Sequence, residues 1–586
     1  MKKLVVTLLT FSIIMSIAGC DSGRKASGRT SRETRTTTST EVEQTTEQTT
    51  TTTTEETSSS NKTDESDPKD FPSIPDVILH QEEHYIKSTD AAMISFTTNG
   101  LQKAYGMTDE TSEEKRPKFV RLSADTIKIT DPGYEKLQAA IDAILSPRLQ
   151  KLEKDYDEAV EDMKERSQKG GHQIFSTLVE EKIRVFRADS EVFSFAILTA
   201  PVGDDATLCQ TYNFNSKTGE KLEISDLITD KEAFTNYLNT QFVDQGYALF
   251  SPVGQTLFEN GQLPLVVTYD GFMVPLGKEQ LNDNYFDDFT ASMYFDYIKI
   301  PVVNDPDLFN MEYFQIIPDT CALFLDNNGE LIWDFNGDGK TDILKLFTTS
   351  PEDDEYLTSS IDVVLMDSQT ERLVISMSDL ELSVYKYAYV VKNGQNWDLF
   401  ITLDSDVSLL CPTTEVFSLD LASMTADCVD NFSGAMDYDN GMHTMQPSHV
   451  DIRSLELYSM DQLPGTFMCL KETGKLDSDG KYVPDNETKI REGFATGVVT
   501  SAEIKGKKVD ADGKELEDYT IPKDTPCALV ESTGFSGEGL YIILETLHED
   551  ASKNVRVKIP ATHNNYQTQL NGTDIHELFY FILMGD

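Results

Sequence analysis

The chain has 586 residues, with 50 Lys and Arg against 100 Asp and Glu and a formal net charge of -50. That field argues against nucleic acid and anionic membrane surfaces as partners, and favours divalent cations and basic proteins. Of its 7 cysteines Cys20 stands at the end of the N-terminal apolar segment; the others, Cys209, Cys321, Cys411, Cys428, Cys469 and Cys527, are scattered without a Cys-x-x-Cys pair and read as buried free thiols rather than a disulfide framework or a zinc site. A bridge such as Cys411–Cys428 is the alternative.

Lys2 and Lys3 precede an apolar run from Leu4 to Ile17, the pattern of a secretory signal. The run is short for a membrane span. The residues that follow, Ile17-Ala18-Gly19-Cys20, resemble the bacterial lipoprotein box. The resemblance implies removal of residues 1–19 and acylation of Cys20, so that a lipid anchor holds the rest outside the cell membrane. An ordinary signal with a cysteine at its cut is the plainer alternative. Residues 20–70, rich in Thr, Ser and Glu, carry almost no apolar side chains and cannot offset the entropy of ordering, so a disordered tether is expected. The tether resembles the spacers of Gram-positive surface lipoproteins.

The first folded region is expected over 71–315 as an α+β domain, with helices covering one antiparallel sheet. Tyr134, Leu137, Ile141, Ile144 and Leu145 recur at helical spacing after Asp131-Pro132. Ser146-Pro147 predicts an interruption, after which Leu149, Leu152, Tyr156, Val160 and Met163 resume the stripe until Gly170-Gly171. Strands follow on either side of a turn at Ala188-Asp189-Ser190. A second hairpin turns at Lys217-Thr218-Gly219 and returns through Leu222 and Ile224. The stretch after Ile224 predicts one helix capped by Ser225 or Asp226.

Within this region Asp189, Ser190, Val192, Ser194, Tyr212, Asn213, Phe214, Lys221, Leu222, Ser225, Asp226 and Leu227 resemble, in order and spacing, the RsiV-type extracellular domain. That domain occurs in a lysozyme-sensing anti-sigma factor and beside the catalytic domain of a peptidoglycan deacetylase. The resemblance implies a lysozyme-like ligand. Pro201-Val202-Gly203-Asp204-Asp205-Ala206 stands where members carry a Gly-Gly-Ala-His loop, a departure that bears on binding. With the signal starting at Met1, no cytoplasmic segment is expected ahead of it, which sets the chain apart from the anti-sigma members.

Two β-rich regions are expected next, over 316–460 and 461–586, the second a small barrel or sandwich closed by a C-terminal helix from Asp574. The loop Asp334-Phe335-Asn336-Gly337-Asp338-Gly339-Lys340-Thr341-Asp342 lies between strand-like flanks. Hard cations take oxygen ligands at alternating positions of such a loop. Asp334, Asn336, Asp338, the carbonyl of Lys340 and Asp342 are the predicted calcium ligands. Lys345 stands where an EF-hand needs a bidentate Glu, and the stretch instead resembles the calcium loops of FG-GAP and VCBS-type β-repeats. A solvated acidic hairpin is the alternative. Asp477-Ser478-Asp479-Gly480 and Asp510-Ala511-Asp512-Gly513 lack the later ligand and read as Asp-Gly turns.

Three patterns suggest enzymes. His80, Glu83 and His84 match the His-x-x-Glu-His of inverted zinc peptidases, which needs a helix. Thr268-Tyr269-Asp270-Gly271, with His443 and His449, is similar to the metal set of polysaccharide deacetylases but lacks the second Asp. Gly534 to Gly539 is no nucleophile elbow, because Glu538 replaces a glycine. The expected function is therefore that of a non-enzymatic, lipid-anchored envelope protein that binds a cell-wall glycan or a basic secreted protein. A wall-modifying metallohydrolase or polysaccharide deacetylase is the alternative.

Overall fold

A computed structural model describes residues 77–583, apart from segments of which the longest are 87–92, 109–116, 170–176, 201–207, 245–257, 277–295, 315–321, 337–341, 352–356, 406–412, 435–454, 486–490 and 534–538. The signal, the lipoprotein box and the tether lie outside the described residues. Pro72–Asp586 group into one unit.

The first sheet joins β1 (Val77–Ile86), β2 (Phe96–Thr108), β3 (Pro117–Ile129), β4 (Thr177–Ala188), β5 (Val192–Ala200) and β6 (Leu208–Asn215) in sequence order. Four of the five neighbouring pairs are antiparallel, but β3 and β4 run parallel, from Val120 against Thr177 to Ala124 against Glu181. A parallel pair needs a long crossover. Helix α1 (Glu135–Lys169) supplies it. Its stripe divides between two cores: Leu137, Ile141 and Leu145 pack on Phe96, Ile183 and Phe193, while Leu152, Tyr156, Val160 and Met163 pack on Val120, Leu122 and Val179.

Pro147 does not interrupt α1. Proline denies the Ala143 carbonyl its partner and crowds the preceding turn, yet both halves are held down. Leu145 and Leu152 are buried on either side, and the Arg148 guanidinium donates to Glu181 Oε1 at 2.9 Å and to Gln210 Oε1 at 2.6 Å on the sheet. Tertiary packing overrides the local preference.

Beyond β6 the expected returning strand is a single bridge between Phe214 and Lys221. The expected helix is two: α2 (Ile224–Leu227) and α3 (Lys231–Asp244). Asp226 Oδ2 accepts the Glu223 amide at 2.8 Å, and Asp230 Oδ1 accepts the amides of Glu232 and Ala233 at 2.9 Å each, so Asp230 caps α3. Helix α3 packs through Phe234, Leu238 and Phe242 on a three-stranded sheet of β7 (Val266–Val267), β8 (Gly271–Leu276) and β9 (Asp296–Pro301).

The expected α+β class is overturned. Strand makes up 57% of the structure. Among the described residues one long helix lies on the first sheet, and that sheet is mixed rather than antiparallel.

The middle region is an eight-stranded sheet: β10 (Ala322–Leu325), β11 (Glu330–Trp333), β12 (Asp342–Thr349), β13 (Thr358–Met366), β14 (Glu371–Asn393), β15 (Asn396–Ser405), β16 (Thr413–Asp420) and β17 (Thr425–Ser433). The 23 residues of β14 serve two sets of neighbours, β13 along its first half and both β10 and β15 along its second. Side chains from both sets, among them Leu323, Leu344, Val363, Val390, Leu399 and Ile401, close one core.

The last sheet has thirteen strands, opening with β18 (Leu455–Leu463), β19 (Thr466–Leu476) and β20 (Tyr482–Pro484). Leu457, Leu476 and Tyr482 of these three pack on Tyr389, Phe400 and Val416 of the middle sheet. The expected C-terminal helix is one turn, Ile575–Leu578. The chain then runs as a strand, Phe579–Leu583, paired with Gly497–Thr500. Consecutive aromatic and β-branched side chains there suit a pleated surface better than a helix. No helix among the described residues is long and apolar enough to cross a membrane.

Candidate functional site

The acidic loop joins β11 to β12, whose last pair is Trp333 opposite Asp342. Asp334 and Asn336 enter the loop and Asp342 closes it; Asp338 and Lys340 lie outside the described residues. Asp342 is 5% exposed, a carboxylate carried into the sheet at the loop's neck. Burial of a carboxylate is costly without compensating charge or hydrogen bonds. No group of three His, Cys, Asp or Glu side chains able to hold a metal converges among the described residues. The described part of the loop offers three oxygen-bearing side chains, Asp334, Asn336 and Asp342, the donor type that hard cations take.

The anchor of the loop is apolar. Phe335, its second residue, is buried with its ring edge-on to Trp397 at 5.3 Å between centroids. Its carbonyl accepts the Trp397 indole N–H at 3.0 Å. Trp333 and Trp397, the chain's 2 tryptophans, thus belong to one core against the loop. The ligand pattern read from the sequence includes neither Phe335 nor Trp397. The visible signal was a Phe between the first two acidic-loop ligands, with no polar role to perform.

The residues that resemble the RsiV-type domain hold strands and turns. Asp189 Oδ1 accepts the amides of Glu191 at 2.8 Å and Val192 at 2.9 Å. Ser194 Oγ donates to Asn213 Oδ1 at 2.6 Å, and Asn213 Nδ2 donates to the Leu265 carbonyl at 2.8 Å. Tyr212 and Phe214 stack on Phe195, while Leu222 and Leu227 enter the core beneath α3. The replaced loop, Pro201 to Ala206, lies outside the described residues.

The enzyme-like patterns separate. His80, Glu83 and His84 lie on strand β1, not on a helix. Four residues along a strand span about 13 Å, against one helical turn of about 5.4 Å, so the spacing no longer brings two imidazoles to one metal. Asp270 belongs to a tight turn: its Oδ1 accepts the Thr268 hydroxyl at 2.7 Å and its carbonyl accepts the Val302 amide at 2.9 Å. His443, His449 and residues 534–538 are outside the described residues. Cys428 is a free, exposed thiol, and Cys411, the other half of the expected alternative bridge, lies outside the described residues. Cys527 is buried, which pushes its thiol up to about 12 and leaves it inert.

No known family and no curated protein matches the sequence. Among solved structures the chain is similar to two proteins of the DUF3298 family. One, from Bacteroides fragilis, is 14% identical with a TM-score of 0.26, over 39% of this chain and 99% of that one. The other, from Pseudomonas aeruginosa, is 11% identical with a TM-score of 0.22, over 37% of this chain and 95% of that one. Likenesses of this size carry no functional argument.

Proposed function

We propose that the chain is a lipid-anchored envelope protein that uses its folded part to bind, without catalysis, a cell-wall component or a basic, lysozyme-like protein. The observation that carries the reading is the head of the sequence, a signal ending in Ile17-Ala18-Gly19-Cys20 and followed by a Thr-rich tether. A tether after an acylated cysteine places a folded part at a distance from the lipid surface. The RsiV-type order of residues between Asp189 and Leu227 supports the basic ligand, and the FG-GAP-like loop supports a calcium ion that braces the middle sheet.

The outward face of α1 supports the same ligand class. Asp157, Glu158, Glu161, Asp162 and Glu165 are all exposed on consecutive turns. Glu158, Glu161 and Asp162 pair with Lys154, Lys164 and Arg166 of the same helix at 2.7, 2.8 and 2.7 Å, exposed pairs that contribute little and are easily exchanged for another cation. A cationic ligand competes with those pairs and is steered to the acidic chain at low salt.

Calorimetry of the chain against lysozyme, at low and moderate salt, tests the ligand. The expected result is binding that weakens with salt but persists, and that falls with Glu158→Gln and Glu161→Gln together. Binding that vanishes at moderate salt reduces the contact to charge attraction and removes the basic-protein ligand. Cys20→Ala is expected to move the protein from the membrane fraction to the medium; retention on the membrane overturns the anchor.

A further inference from the structure

The six-stranded and three-stranded sheets meet where no backbone ladder is available. Strand β7 lies across β6, β5 and β4 in turn, so side chains of the first sheet must satisfy its backbone. Thr211 Oγ1 accepts the Leu265 amide at 2.8 Å. The Val267 amide donates to Asn213 Oδ1 at 3.0 Å and to Ser194 Oγ at 3.1 Å. On β4, Arg187 Nη1 donates to the Thr268 carbonyl at 3.2 Å. The seam ends where Tyr269 Oη, just past Thr268, accepts the Ala188 amide at 3.4 Å.

Arg187 differs from the other members because it is charged. It is fully buried, as is its partner Asp189, whose Oδ2 accepts the Arg187 Nε–H at 2.6 Å. The rings of Tyr269 and Phe314 lie 5.4 and 5.8 Å from the guanidinium carbon. Nη2 has no acceptor at all. A buried pair with one donor unanswered is a poor source of stability, since desolvation of both ions offsets most of their attraction. Its geometric demand remains: a planar fork that reaches Asp189 and the Thr268 carbonyl together admits one placement of the β7–β8 turn. An apolar seam would tolerate a slip along β7, because Val266, Val267 and their neighbours are similar in size.

We infer that the Arg187–Asp189 pair is a docking key, which fixes the register of the three-stranded sheet on the six-stranded one while adding little to overall stability. The test uses the full chain and two variants. Asp189→Asn keeps the acceptor for the Glu191 and Val192 amides but leaves the Arg187 charge uncompensated. Arg187→Met with Asp189→Asn removes both charges. The single variant is expected to melt well below the parent. The double variant is expected to regain the parent's melting temperature while amides 265–268 exchange about tenfold faster than in the parent and amides 183–198 exchange as before. A double variant that melts as low as the single one, or does not fold, shows that the pair is stabilising and overturns the inference. Unchanged protection at 265–268 in a folded double variant overturns it equally.

Discussion

Two kinds of acidic turn occur in this chain. The turns at 477–481 and 510–514 share the pattern Asp-x-Asp-Gly-Lys and one geometry. In each, the first Asp amide donates to the Lys carbonyl, at 2.9 and 3.1 Å, and the Gly amide donates to the Asp carbonyl at 3.1 Å. In each, Oδ1 of that Asp accepts the Lys amide, at 3.0 and 2.9 Å. The carboxylate is consumed by its own turn, so no cation is needed. The loop at 334–342 is longer, sends Phe335 into the core and carries Asp342 to a buried neck. Acidic residues alone therefore do not mark an ion site. What separates the two is local geometry: in the short turns the first carboxylate folds back on its own backbone, whereas in the long loop Phe335 is pinned in the core and Asp342 is buried where the second strand begins.

The largest expected effect breaks the long loop at its apolar pin. Phe335→Ala removes a buried ring and is expected to cost about 3–5 kcal/mol by the usual cavity scale, with a red shift of tryptophan emission as Trp397 loses its cover. An unshifted spectrum with a small change in stability would mean that the loop is not anchored through Phe335. Next is the proposed ion. Calcium in hundredfold excess over its dissociation constant is expected to stabilise by about 2.7 kcal/mol. Chelation should reverse the gain, and Asp338→Ala or Asp342→Asn should abolish it. Equal melting temperatures in calcium and chelator would place the long loop with the short turns. The smallest effects belong to those turns. Gly480 and Gly513 have φ of +77° and +73°, and an alanine at either is expected to cost about 1–2 kcal/mol. Gly480→Ala should be the worse, because its Cβ would meet Val429 Cγ2 at 3.1 Å while Gly513 opens to free space. Neither variant should alter any calcium response.

Legibility in the sequence followed the range of the interactions. Local signals succeeded: the stripe from Tyr134 to Met163, the turn at Asp189 and the Asp-Gly hairpins are all present. Non-local ones did not. Nothing near Val120 or Thr177 says that these strands run parallel, and nothing near Pro147 says that Glu181 and Gln210 wait to hold Arg148. The C-terminal Phe579-Tyr580-Phe581-Ile582-Leu583 reads locally as a helix because its strand partner, Gly497–Thr500, lies far upstream. The candidate loop was legible as a ligand pattern, yet its anchorage was not, because Trp397 is distant in sequence. The buried Arg187 stands in a run of alternating residues, where nothing local marks it as buried, because its partner carbonyl at Thr268 is distant in sequence.

The long strand β14 has a consequence for the order of assembly. Ala322 of β10 pairs with Val391 near the end of β14, and the hairpins built from β11, β12 and β13 lie between them in sequence. A chain that emerges N-terminus first must leave β10 without its neighbour until all of β14 has followed. Closing so large a loop is entropically slow. The middle region therefore cannot complete itself piecemeal, and truncations ending anywhere before Asn393 should give not a smaller folded protein but one with an open, sticky edge.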